Sequence, residues 1–182
     1  MDAGLAAVLG ALAGAVATTG AAFATGWATR EQARIAARAE HTRQRRDARQ
    51  AVYEEFIEQT GALMDRAIEY SDSSAPTWVQ IQAAEVEVWA SWESVKGVFT
   101  KVRLAGPEYV TQRAIAVRKA CILVAVRMTA VKQAPLPVRV RDAELFAAKR
   151  AELSESLTQL IMEHGDFIRA AQAALDDDGT KR

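Results

Sequence analysis

The prolines of this chain are so few and so clustered that they dictate where its elements end. From Ala28 to Thr60 there is neither proline nor glycine, and only four prolines occur in 182 residues. Breakers then gather at three places: Ser71-Asp72-Ser73-Ser74-Ala75-Pro76, Leu104-Ala105-Gly106-Pro107 and Ala134-Pro135-Leu136-Pro137. Proline cannot donate into a helix interior but suits a first turn, and glycine suits a helix stop, so each cluster ends one helix and starts another. Four segments remain, and in each the apolar residues recur at steps of three and four. The first carries Val52, Phe56, Leu63, Ala67 and Tyr70, interrupted by Gln59. The second carries Trp78, Ile81, Val88, Trp92, Val95, Phe99 and Val102. The third carries Val110, Ala114, Val117, Cys121, Val124, Met128 and Val131. The fourth, from about Asp142 to Leu175, carries Phe146, Leu153, Leu157, Leu160, His164, Phe167 and Ala171. Such spacing predicts an all-α chain whose residues 51–176 form an antiparallel up-down four-helix bundle. Val138-Arg139-Val140-Arg141 is the nearest approach to strand alternation and reads as connector; residues 177–182 read as an acidic and polar tail.

The first 29 residues contain no basic side chain and Asp2 as their only acid. Arg30, Arg34, Arg38, Arg43, Arg45, Arg46 and Arg49 follow within twenty residues. At about 1.5 Å per residue, the run from Ala3 to Ala28 reaches about 39 Å, enough to cross a hydrocarbon core of about 30 Å. Residues 1–29 are therefore predicted to be a single-pass transmembrane helix, with Trp27 at the interface and Arg30, Arg34 and Arg38 beyond it. The arginines orient the span, with a short N-terminus outside and the body in the cytoplasm. Eleven alanines and five glycines make this span weakly hydrophobic. Gly10 and Gly14 form a small-xxx-small pair through which two anchors could approach closely. Two other readings stand beside the anchor. Ala22-Phe23-Ala24 would serve as a signal-peptide cleavage site, although the segment before it lacks a basic residue and arginines directly after an apolar run oppose translocation. A soluble Ala-rich helix buried in the protein is the plainer one.

Residues 30–50 are predicted to continue the helix as an arginine-rich stalk. Arg30, Arg34 and Arg38 share one face by their spacing of four. A solvated face is the simple account of that stripe; the functional one is attraction to anionic headgroups, at about 1 kcal/mol per basic residue near the surface. The net charge of zero hides this asymmetry. Seven arginines against Glu31, Glu40 and Asp47 give residues 30–49 a local +4, while residues 50–182 hold sixteen Lys and Arg against nineteen Asp and Glu, or −3. A nucleic-acid binder would spread basic surface over the body, so the charge pattern argues against that class.

Residues able to carry chemistry are scarce. Bundle metal sites pair a carboxylate with histidine three residues on, but Ile161 precedes His164 and Arg38 precedes His41 at that spacing. The lone Cys121 sits at an inner position of the third helix and excludes an intramolecular disulfide. Neither a phosphate-cradling glycine loop nor a nucleophile turn is present. The reading is a non-enzyme with no cofactor and no metal. Trp89-Ala90-Ser91-Trp92 is the most unusual cluster: the two rings share a helix face, and either pack inward with Trp78 or form an aromatic surface for a protein partner.

The layout resembles a broad set of actinobacterial membrane-anchored helical proteins, on three features. These are the small-residue anchor, the stretch Arg43-Gln44-Arg45-Arg46-Asp47-Ala48-Arg49, and Val102-Arg103-Leu104-Ala105-Gly106-Pro107. Some members are Kil-type spread proteins, which assist plasmid transfer between hyphae. The resemblance implies a role in plasmid spread or a phage-related membrane function and carries no site residues. Two expectations follow: a membrane-anchored scaffold whose cytoplasmic bundle binds a protein partner, or a membrane accessory of transfer acting through self-association of its anchors.

Overall fold

The computed structural model describes residues 2–73, 77–134 and 140–177, with side chains for all of these except 2, 3, 5–24, 140 and 141. Four helices account for nearly all of it: α1 (Asp2–Asp72), α2 (Trp78–Ala105), α3 (Glu108–Gln133) and α4 (Val140–Asp176). The chain divides into two compact units, Met1–Arg45 and Arg46–Arg182, which share α1 and are described separately.

In the first unit the side chains from Thr25 to Arg45 are exposed, apart from a half-buried Glu31. The helix there is supported locally. Thr29 and Thr42 donate to the carbonyls four residues back, Gln44 donates to Glu40, and Arg34 lies 3.6 Å from Glu31. Such pairs contribute a few tenths of a kcal/mol each. Among the described residues no helix is long and apolar enough to cross a membrane. Most of the expected span, residues 1–29, falls on residues 5–24, whose side chains lie outside the described set.

In the second unit the four helices pack against one another as a bundle, and cross-helix contacts give its topology. Glu55 meets Lys101 at 2.7 Å, and farther along α1 Arg66 meets Glu87, so α1 and α2 are antiparallel. Phe99 lies under Arg118 while Glu85 meets Lys132, so α2 and α3 are antiparallel too. Arg113–Asp166 and Arg127–Glu152 run α3 against α4 in the same sense. Tyr53 against Phe167 and Arg150 against Ser71 close the ring between α4 and α1. The order is therefore up-down-up-down, with α1 diagonal to α3, as short breaks between amphipathic helices require.

The turn between α2 and α3 falls at the expected Gly106 and Pro107, whereas residues 74–76 and 135–139 of the other two expected breaks lie outside the described residues. Thr77 caps α2 in a reciprocal box with Gln80, and the Gly106 amide donates to the Val102 carbonyl at the other end. A Cβ on Gly106 would sit 3.0 Å from Tyr53 Oη and 3.2 Å from the Val102 carbonyl, so glycine lets Tyr53 close over this turn. Arg49 Nε donates to the Ala105 carbonyl, pinning the same turn from α1. At the opposite end, Arg150 donates to the carbonyls of Ser71 and Ser73, satisfying acceptors that the end of α1 leaves open.

The core follows the expected faces with two shifts of phase on α1. Tyr53, 1% exposed, takes the place expected of Val52, which is half-buried. Thr60 is fully buried one residue beyond the Gln59 interruption, its hydroxyl donating to the Phe56 carbonyl. The stripe thus reads Tyr53, Phe56, Thr60, Leu63, Ala67, Tyr70 without a gap. Trp78 corrects an expectation. Expected on the inner face of α2, it is 41% exposed, because the antiparallel register carries it past the end of α1.

Candidate functional site

The residues expected at a membrane interface lie together in the first unit. Trp27 is 67% exposed, and Arg30, Arg34 and Arg38 are exposed beyond it. An indole held open to solvent beside three guanidiniums is the arrangement favoured where hydrocarbon gives way to headgroups. Gly10 and Gly14, the expected anchor seam, lie outside the residues whose side chains are described. Two arginines of the basic run belong to the bundle unit instead: Arg46 approaches Asp176 at 3.9 Å, and Arg49 engages the α2–α3 turn.

The tryptophan pair of α2 is turned inward. Trp92 is buried in the core, whereas Trp89 is half-buried and its Nε1 donates to Thr129 Oγ1 at 3.0 Å. That bond belongs to a network which the sequence reading missed. Glu85 is buried between α2 and α3, with Lys132 Nζ 2.6 Å from one carboxylate oxygen and Thr129 Oγ1 3.0 Å from the other. Both oxygens are therefore engaged, as a buried carboxylate needs to be. The signal was present in the spacing. Ile81, Glu85 and Val88 continue the four-three repeat of Val88, Trp92 and Val95, so Glu85 occupies a core position in phase with its apolar neighbours.

His164 stands in the same kind of position on α4. It is half-buried, its Nε2 has no partner among the described residues, and burial lowers its pKa below the ordinary histidine value, against a smaller opposing pull from the Ile57 backbone. Burial also pushes the Cys121 thiol up to about 12, far from the range of a reactive thiolate. The buried hydroxyls of Tyr53 and Tyr70 have no hydrogen-bond partner among the described residues, and burial raises both pKa values. Among the described residues, no three His, Cys, Asp or Glu side chains gather closely enough to hold a metal ion.

Grooves on the bundle include two between neighbouring helices. One, of about 300 Å³, lies between α1 and α2 against Tyr70, with Arg66, Glu69 and Glu87 on its rim. The other, of about 500 Å³, lies between α1 and α4 over Tyr53, Ile57, Ile168 and Leu175. Among the described residues, neither groove places a nucleophile beside a base. Comparison of the chain with protein-family models, with curated proteins and with solved structures gives no match.

Proposed function

We propose that this is a membrane-anchored, non-enzymatic scaffold whose N-terminal helix spans the bilayer and whose four-helix bundle recruits a cytoplasmic protein partner. The observation that carries the reading is the exposed Trp27 directly before the exposed Arg30, Arg34 and Arg38, at the end of a 26-residue run without charge. In this reading the tryptophan marks the interface, and the arginines hold the body on the cytoplasmic side and meet anionic headgroups. The experiment is membrane fractionation with carbonate extraction, followed by protease treatment of intact cells. The chain should stay with the membrane and its body should resist external protease. Digestion of the body from outside, or release into the soluble fraction, would overturn the assignment.

The spacing of Gly10 and Gly14 favours a second reading, in which anchors associate laterally as part of a transfer or phage-related membrane complex. Gly10→Leu with Gly14→Leu separates the two. A scaffold keeps its membrane association and partner binding, or inserts better, whereas a function that needs close anchor packing is lost.

A further inference from the structure

Among the described residues of the bundle unit, almost every basic side chain answers an oxygen. Arg46, Arg66, Lys96, Lys101, Arg113 and Lys132 each face a carboxylate. Arg127, Lys149 and Arg169 do likewise, while Arg49 and Arg150 donate to helix-end carbonyls. Arg103, Arg118 and Lys119 make no such contact, and all three are exposed.

These three are neighbours. The Arg118 guanidinium lies 4.7 Å from the centre of the Phe99 ring, and that of Arg103 lies 5.9 Å from the same centre. Lys119 follows Arg118 on α3, where Ile115 and Ile122 lie one turn away on either side, both half-buried against the core. A ring beneath the guanidiniums limits their freedom and holds them ready, so less order is lost when they meet an anion. This cationic surface sits on a body whose residues 50–182 are otherwise net acidic, so it stands out electrostatically.

We propose that Arg103, Arg118 and Lys119 form the docking surface for an acidic amphipathic segment of a partner protein. Its carboxylates meet the three cations, and an aliphatic side chain lies against Ile115 and Ile122. Planar guanidiniums suit the paired oxygens of carboxylates. Ile115 and Ile122 are half-buried while Leu104, next to Arg103, and Val126 are exposed, so the cations stand among aliphatic side chains that suit a segment carrying both carboxylates and apolar residues. The inference rests on the bundle being a partner-binding module and not on the anchor.

The test uses the full chain in neutral detergent micelles and a fluorescein-labelled helical peptide with glutamates at i and i+4 and leucines between them. Anisotropy should show binding that weakens with salt and is absent for the same peptide carrying glutamine. Arg103→Gln with Arg118→Gln should weaken it by about tenfold or more. Arg113→Gln with Arg169→Gln removes the same charge from the Asp166 cluster and should change it by less than about twofold. Equal losses in the two pairs, or equal binding of both peptides, would overturn the proposal. So would a cluster that governs binding to phosphatidylserine vesicles but not to the peptide. Should the Arg118 variant lose its helical circular dichroism, Lys119→Glu alone provides the charge reversal at an exposed position. A failed titration with intact membrane fractionation removes this surface alone; failed fractionation leaves the titration standing, because no bilayer enters it.

Discussion

Helix α3 and its two neighbours solve the same packing problem differently. Every core position of α3, from Val110 through Ala114, Val117, Cys121, Val124 and Met128 to Val131, holds an apolar side chain with no exposure at all. On α2 one equivalent position is given to Glu85, and on α4 one is given to His164. Apolar positions stabilise the bundle without choosing a register strongly, since a valine packs against many neighbours. A buried carboxylate is selective. Sliding α2 one turn along α3 would strand Glu85 away from Lys132 and Thr129, leaving an uncompensated buried charge. Apolar burial thus supplies the stability, and the polar positions narrow the choice of partners and register.

That contrast can be broken most forcefully at an apolar position. Phe167 is fully buried, its ring packed edge-on against Tyr53 and 4.8 Å from that of Phe56. Phe167→Ala should cost about 3–5 kcal/mol in a denaturant titration of the bundle. A loss under about 1 kcal/mol would mean the site collapses around the missing ring. Removing one partner of the polar position should cost less. Lys132→Ala strands Glu85 and should lose about 1–3 kcal/mol. The double variant Glu85→Leu with Lys132→Leu should recover most of that loss, because an apolar residue then completes the repeat. A double variant weaker than Lys132→Ala would show that the pair itself stabilises the fold.

The smallest effect concerns His164 and pH. Its folded-state pKa is lowered, chiefly by burial, so the unfolded chain binds the proton more readily. The stability due to the neutral ring is therefore complete above the unfolded value of about 6.5 and declines as pH falls through the lowered folded value. Thermal melts between neutral and mildly acidic pH should show this decline, and His164→Leu should flatten it. An unchanged slope in the variant would assign the pH dependence to other groups.

Much of the bundle was legible because its signals are local. Breakers marked the ends of α2 and α3, and the inner face of α3 could be read residue by residue, since nothing polar interrupts it. The candidate surface was less legible. Trp89 and Trp92 share a helix face in one dimension, which fits inward packing or an aromatic surface equally; the turn of α2 buries Trp92 and ties a half-buried Trp89 to Thr129. Arg103 and Arg118 look like any other surface arginines. They become a pair only when antiparallel packing brings α2 and α3 together over Phe99, while every other described cation of the bundle finds an oxygen.

By itself the sequence determined the helical class, the three breaks between helices, and the separation of an uncharged, then arginine-rich, N-terminal third from a mildly acidic body. These depend on backbone chemistry and on spacing along one helix, which the order of residues contains completely. The tertiary structure decided the finer choices: Tyr53 over Val52, Thr60 rather than Gln59 inside, Trp78 left outside, Glu85 accepted into the core, and three cations, two of them over Phe99, that meet no oxygen among the described residues. A helical period of about 3.6 residues specifies a buried face only to within a neighbouring residue. Which neighbour turns inward, and which charge finds a counter-charge, depends on what the facing helices place opposite it.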